Sequence, residues 1–230
     1  MIFISEIGMN YNGNFDLCFE LIKRSKLSGA DIAKFQIGWR DKENEINHLT
    51  DIKIKQLVEW CKYFDIELMF SIISENGFNK LSKYKFTNYK IASRTVKYDL
   101  DLAKKILDLN QNTFVSLGMS DKDKVPTQLQ SYKNTKYLWC KSEYPTHLNS
   151  LNDFPKNFHE TFFSGYSDHS VGIEMPLLAI SRGANIIEKH FTLDKSDQTI
   201  RDHTLSATPE EFKLMTEIGR DINRKLNLGI

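Results

Sequence analysis

The sequence is short of several features that define common protein classes. Its three cysteines, Cys18, Cys61 and Cys140, are odd in number, far apart and without a Cys-x-x-Cys pair. That argues against a disulfide framework or a structural zinc site and leaves three buried thiols. An excess of charge of one sign is missing too. The 31 Lys and Arg face 30 Asp and Glu, so no overall field draws in nucleic acid or an anionic membrane, and any anion site has to be local. No apolar run approaches the roughly 20 residues that span a bilayer. The apolar start, Met1 to Gly8, is too short for a signal core and has no basic segment before it, so a cytoplasmic location is expected. There is no Gly-x-Gly-x-x-Gly loop, proline-rich linker, low-complexity tract or close repeat.

What is present suits one substantial core: 230 residues, 40% hydrophobic and 12% aromatic, read as a single domain over residues 1–230. Short β-rich runs alternate with amphipathic segments along the whole chain. Strands are predicted at Ile2–Ile7, Asp31–Gln36, Glu67–Ser71, Tyr89–Ala92, Thr113–Leu117, Lys136–Cys140, Phe162–Tyr166 and Asn185–His190. Helices are predicted at Asp16–Ser28, Asp51–Phe64, Asn76–Tyr84, Leu100–Leu109, Lys122–Tyr132, Ser150–Asn157, Ile173–Arg182 and Pro209–Leu226. The last opens with Thr208-Pro209-Glu210-Glu211, which supplies an N-cap, a proline in the first turn and acidic residues against the helix dipole. Eight βα units in an uninterrupted chain predict an α/β fold, a (β/α)8 TIM barrel, with a doubly wound open sheet as the structural alternative.

In a barrel, chemistry gathers where strands end. The predicted strand ends supply Glu6, Lys34 with Gln36, Ser71, Lys90 with Ser93, Ser116, Ser142 with Glu143 and Tyr144, Ser167 with Asp168 and His169, and Glu188 with His190. Strand alternation places Lys34 and Gln36 on one face, and Glu188 and His190 on one face. A lysine inside a barrel must find an anion. The choice for Lys34 and Lys90 lies between buried pairs with Glu6 or Glu188 and a bound phosphate or carboxylate; the neighbouring serines favour the bound anion. His169 and His190 end adjacent strands and are candidate ligands of one metal ion. With Glu188 or Asp168 as nearby oxygen donors and no cysteine placed beside them, Mn²⁺, Mg²⁺ or Fe²⁺ suits the set at least as well as Zn²⁺. His48, His147 and His159, and the lysines around Lys122–Lys124 and Lys133–Lys136, read as solvated. Gly118 and Gly165 read as turn or close-approach glycines.

At these residues the sequence resembles the N-acetylneuraminate (sialic acid) synthase family, with its legionaminate and pseudaminate relatives. The resemblance rests on Glu6-Ile-Gly-Met-Asn-Tyr-Asn-Gly13, Ala33-Lys-Phe-Gln36, Lys90-Ile-Ala-Ser93, Ser116-Leu-Gly-Met119, Ser142-Glu-Tyr-Pro145, Gly165-Tyr-Ser-Asp-His169 and Ile187-Glu-Lys-His-Phe-Thr-Leu-Asp194, in family order. It implies a TIM-barrel transferase that condenses phosphoenolpyruvate with an aldose. By the same resemblance, Lys34, Ser71, Lys90, Ser93, Ser116 and Ser167 hold phosphoenolpyruvate, His169 and His190 hold a divalent metal, and Glu6, Gln36, Tyr144 and Asp202 contact the acceptor. Mn²⁺ is the first expectation for the metal, with Mg²⁺, Fe²⁺ or Co²⁺ as alternatives. Glu6 or Glu188 is the candidate proton carrier. Other metal-assisted chemistry on a phosphorylated sugar, and a degenerate anion-binding barrel, are the competing readings.

The sequence departs from the family pattern at Trp139, Lys141, Ile72-Ile73 and Ile200-Arg201-Asp202, changes expected to face the sugar and to alter the acceptor. Family members usually continue into an antifreeze-like domain that lends an arginine to the partner's site; here the sequence ends at Ile230. A fragment, a separate lid-domain chain, a homo-oligomer or a different lid are all compatible with that. In the last case Arg201 would offer a guanidinium from the same chain, and N-acetylmannosamine would be a poor acceptor.

Overall fold

The computed structural model describes residues 1–121 and 123–229. Eight parallel strands close into a barrel in chain order. They are β1 (Ile2–Gly8), β2 (Ile32–Ile37), β3 (Glu67–Ile72), β4 (Asn88–Ile91), β5 (Asn112–Ser116), β6 (Thr135–Cys140), β7 (Phe163–Asp168) and β8 (Ile186–His190). The helices outside are α1 (Leu17–Leu27), α2 (Asp51–Tyr63), α3 (Glu75–Leu81), α4 (Ser93–Tyr98), α5 (Leu100–Leu107), α6 (Glu174–Ser181) and α7 (Pro209–Asn227). The predicted barrel and all eight predicted strands are thus present.

Local chemistry sets the helix starts. Thr50 Oγ1 accepts from the Lys53 amide ahead of α2, and Thr208 and Glu211 form a reciprocal capping box ahead of α7, with Pro209 in its first turn. Two predicted helices are not there. Among the described residues, the β5–β6 connection holds only the single 3-10 turn Thr127–Leu129, and β6–β7 only the turns Leu148–Ser150 and Phe158–Glu160. Pro126 and Pro155 lack the amide a helix interior needs, and Asn157 Oδ1 accepts locally from the His159 amide at 3.0 Å. Lys122, predicted to open the first of these helices, lies outside the described residues. Conversely, α4 was not expected; it starts directly at the end of β4 and is only six residues long.

Two apolar layers hold the barrel together. The larger lies between strands and helices, and the smaller fills the lower barrel with Ile4, Ile32, Met69, Phe114, Leu138 and Ile186. Gly165 belongs to this inner level, where a Cβ would stand 2.1 Å from the Ile186 carbonyl oxygen, so only glycine lets β7 approach β8 there. One pleat further along each strand the inward positions turn polar: Glu6 pairs with Lys34 and with His190, Gln36 with Ser71, Ser71 with Lys90, and Ser167 with Glu188. An apolar floor thus carries a polar layer at the C-terminal mouth.

Candidate active site

That polar layer lines a cavity of about 560 Å³. Most of the residues proposed from the sequence line it: Glu6, Lys34, Gln36, Ser71, Lys90, Ser93, Ser116, Ser142, Tyr144, Ser167, His169, Glu188, His190, Arg201 and Asp202, but not Asp168 or Glu143. Strand alternation brings Glu6, Lys34, Gln36, Ser71, Lys90, Ser116, Ser167, Glu188 and His190 there at one level, and the loops after the strands supply the rest.

At the floor, Lys34 Nζ stands 3.0 Å from Glu6 Oε2 and 3.0 Å from Glu188 Oε2. Lys90 Nζ donates to Ser116 Oγ at 2.8 Å and lies 3.6 Å from Glu188 Oε1. Ser167 Oγ donates to Glu188 Oε1 at 2.7 Å, and Gln36 Nε2 donates to Glu6 Oε1 at 2.7 Å. Both lysines therefore have carboxylate partners, as the ion-pair alternative anticipated.

Burial and neighbours push the two glutamates apart. Burial would raise Glu188, but Lys34 and Lys90 overcome it and hold its carboxyl down at about 2. For Glu6, burial prevails over the attraction of Lys34, and the charge of Glu188 adds to it, so this carboxyl is raised. Lys34 is raised because the two glutamates outweigh its burial, whereas Lys90 is lowered, chiefly by burial. Glu188 is thus the fixed anion and Glu6 the carboxyl that keeps a proton more readily.

The histidine rings lie 5.4 Å apart between centroids, and the Tyr144 ring packs 4.1 Å from that of His169. His169 Nδ1 donates to the Lys141 carbonyl oxygen at 2.7 Å, which leaves Nε2 as the ligating nitrogen in the neutral ring. Burial holds His190 down at about 3, so its ring is neutral, and its Nδ1 is buried without a hydrogen-bond partner. Burial works against protonation of His169, but Cys140 and the Lys141 carbonyl outweigh it and raise this ring, so His169 must give up its proton for the two imidazoles to hold a divalent cation. Among the described residues no group of three or more His, Cys, Asp or Glu is arranged to hold one, so the rest of its shell would come from water or substrate.

Three expectations need correction. Asp168 turns outward: its carboxylate takes Lys189 Nζ at 2.5 Å and the Tyr166 hydroxyl at 2.6 Å, so it cannot serve as the nearby oxygen donor. A cysteine does lie beside the histidines, with Cys140 Sγ 3.8 Å from His169 Nδ1 on the cavity wall. Not all the departures face the cavity. Trp139 packs outward on Phe154, Ile72 is buried, and Lys141 lies 3.8 Å from Asp153, whereas Ile73, Ile200, Arg201 and Asp202 do line the cavity.

The sequence reading also missed His203. It is 1% exposed and bridges Thr192 Oγ1 at 2.6 Å and Asn12 Oδ1 at 2.7 Å, joining the loops after β1 and β8. Its only local signal was its place directly after Asp202.

A closed eight-stranded barrel with paired lysines, carboxylates and histidines at its C-terminal mouth has the organisation of a barrel enzyme. The chain belongs to the NeuB family, whose model matches residues 41–230. It is 32% identical over 244 residues to an uncharacterized protein of Methanocaldococcus jannaschii, covering 98% of this chain and 72% of that one. It is 29% identical to the N,N'-diacetyllegionaminic acid synthase of Campylobacter jejuni, covering 100% of this chain and 78% of the relative. Among solved structures it resembles the N-acetylneuraminic acid (sialic acid) synthetase of Leptospira borgpetersenii, crystallised with citrate. The TM-score is 0.87 at 28% identity, over 98% of this chain and 84% of that chain. Among the described residues no helix is long and apolar enough to cross a membrane.

Proposed function

We propose that the protein joins phosphoenolpyruvate to an open-chain aldose, forming a 2-keto-3-deoxy acid of the nonulosonate type and releasing phosphate. The observation that carries this reading is the cavity floor, where Lys34 sits between Glu6 and Glu188 with Lys90 and Ser116 alongside. The names of the synthase relatives support it.

In the reaction, C3 of phosphoenolpyruvate forms a bond to the aldehyde carbon, the aldehyde oxygen takes up a proton, water adds at C2 and phosphate leaves. Lys90, Lys34 and the hydroxyls of Ser71, Ser93, Ser116, Ser142 and Ser167 receive the phosphate and carboxylate, trading the resting ion pairs for the ligand's charges. Glu188 stays ionised and is the carboxylate both lysines share. Glu6, whose carboxyl is raised, delivers the proton to the aldehyde oxygen, oriented by Gln36. Tyr144, Asp202 and Arg201 form the wall against which the acceptor lies. His169 and His190 would hold a divalent cation, Mn²⁺ first among the candidates, which supplies Lewis-acid polarisation of the carbonyl.

Phosphate release from phosphoenolpyruvate, assayed with Mn²⁺ over a panel of aldoses and hexosamines, tests the proposal. Release that depends on the sugar is expected; no release with any sugar overturns it.

A further inference from the structure

The two candidate ligand histidines are held differently. His169 Nδ1 is fixed by the Lys141 carbonyl oxygen at 2.7 Å. His190 Nδ1 is buried with no hydrogen-bond partner among the described residues, and Asp202 Oδ2 stands 3.8 Å from it. Asp202 Oδ1 is likewise buried without a hydrogen-bond partner, 3.4 Å from Arg201 Nε. A buried ring nitrogen and a buried carboxylate that face each other unpaired are both costly to leave so. Resting on the assignment of His169 and His190 to a divalent cation, we infer that Asp202 is the positioning residue of His190: its carboxylate accepts the Nδ1 proton and fixes the ring with Nε2 as the ligating nitrogen.

The fold sets up this approach. An imidazole that ligates through one nitrogen keeps its proton on the other, and a carboxylate there fixes both the tautomer and the ring plane. Asp202 stands in the 3-10 turn Arg201–His203, on a loop that leaves β8 and returns to it. The Ala207 amide donates to the His190 carbonyl oxygen at 2.8 Å, and the Thr192 amide donates to the Ala207 carbonyl oxygen at 3.0 Å. The loop is therefore anchored on the backbone of the residue whose ring it faces. Within it, the Ser206 hydroxyl donates to the Asp202 carbonyl oxygen at 2.6 Å, and the Asn10 amide holds Ser206 at 3.0 Å. With the backbone held, closing the gap to Nδ1 is a matter of side-chain rotation. Glu188 does not compete for the place, because Lys34, Lys90 and Ser167 engage its oxygens, and Asp168 is turned outward to Lys189. The second oxygen of Asp202 lies on the side of Arg201, so one carboxylate links the histidine to the proposed acceptor wall.

The experiment measures Mn²⁺ affinity by electron paramagnetic resonance, with no sugar present, in the wild type, Asp202→Ala, Asp202→Asn and His190→Ala, and far-UV circular dichroism checks the barrel in each. Asp202→Ala is expected to bind Mn²⁺ about 10- to 100-fold more weakly, the usual loss when the group behind a ligating histidine is removed. Asp202→Asn, whose amide oxygen still accepts the Nδ1 proton, is expected to recover part of that loss. A residue that only touches the acceptor would leave this affinity unmoved. Wild-type affinity in Asp202→Ala, with binding weakened in His190→Ala, would overturn the inference and leave the metal assignment standing. Asp202→Asn as weak as Asp202→Ala would assign the loss to charge alone and overturn it too. Equal affinity in the wild type and His190→Ala would remove the metal assignment and the inference together. The expected pattern of affinities, with no phosphate release from any sugar, would support the positioning role and remove the condensation instead.

Discussion

Lys34 Nζ is equidistant, at 3.0 Å, from one oxygen of Glu6 and one of Glu188, and all three side chains are nearly inaccessible to water. Removing that ammonium leaves two carboxylates in a low-dielectric barrel with no shared counter-charge. Lys34→Met is therefore expected to abolish turnover and to lower stability by about 3–5 kcal/mol, the usual cost of breaking a buried pair from one side. Denaturant titration monitored by far-UV circular dichroism checks this. A Lys34→Met protein as stable as the wild type would mean that the pairs are not formed in solution.

The two glutamates should separate in a pH profile. Glu6 is raised, and in the proposed reaction it acts in its protonated form, so kcat is expected to fall as pH climbs through its pKa. Glu188, held at about 2, stays ionised throughout the working range. Glu6→Gln should lower kcat by about 10²–10⁴-fold and erase that limb, while Glu188→Gln should retain the limb whatever it costs in rate. If the limb disappears in Glu188→Gln and survives in Glu6→Gln, the assignment is reversed.

A chelator should stop turnover, and His169→Ala and His190→Ala should each do the same while the far-UV spectrum stays that of a barrel. Mn²⁺ binding followed by electron paramagnetic resonance supplies a readout that does not depend on turnover. Full activity in excess chelator would remove the metal from the mechanism.

The barrel could be read from residue order because parallel strands buried on both faces leave short apolar runs, and α/β alternation admits few closures. The inward layer was readable for a related reason. Period-two alternation put Lys34 with Gln36 and Glu188 with His190, and the structure keeps both pairs in one cavity. Asp168 failed by the same logic: it lies between the inward Ser167 and His169, so its side chain must point outward, where Lys189 meets it. The helices over Lys122–Tyr132 and Ser150–Asn157 failed because prolines and local side-chain hydrogen bonds defeated a weak periodicity. The partners of Asn47 and His203 were out of reach because they depend on loop conformations, which no periodic pattern encodes.

The outward pair makes an acid-stability prediction. Asp168 and Lys189 are essentially fully buried, and Ser170 also donates to Asp168, from its amide at 2.9 Å and its hydroxyl at 2.7 Å. Burial would raise this carboxyl, but Lys189 and the hydrogen bonds lower it below the ordinary value. A depressed folded-state pKa contributes stability above the unfolded value, near 4, and that stability is lost as pH falls below it. Asp168→Asn should therefore be less stable at neutral pH, with a flatter decline in unfolding free energy below about pH 4. An unchanged acid limb in Asp168→Asn would assign the decline to other carboxylates.

His203 leads to the last prediction. Its pKa is lowered, chiefly by burial, so the ring is neutral and has one N–H and one lone pair. The Asn12 amide nitrogen is committed to Asp197 Oδ2 at 2.5 Å, so Asn12 Oδ1 accepts from His203 Nε2–H, and the Thr192 hydroxyl donates to Nδ1. The next residue back is Asp202, whose carbonyl takes the Ser206 hydroxyl at 2.6 Å, and Ser206 in turn accepts from Asn10 at 3.0 Å. Loops after β1 and β8 are thus clasped behind a residue of the proposed acceptor wall, and among the described residues no hydrogen bond joins the clasp to the lysines at the floor. His203→Ala removes two buried hydrogen bonds, worth about 0.5–1.5 kcal/mol each, and frees Asp202 to shift. The acceptor KM is expected to rise by about tenfold with the phosphoenolpyruvate KM little changed, and proteolytic nicking between Asp194 and Ser206 should accelerate. Equal increases in both KM values would show that the clasp supports the whole mouth of the barrel rather than the acceptor wall.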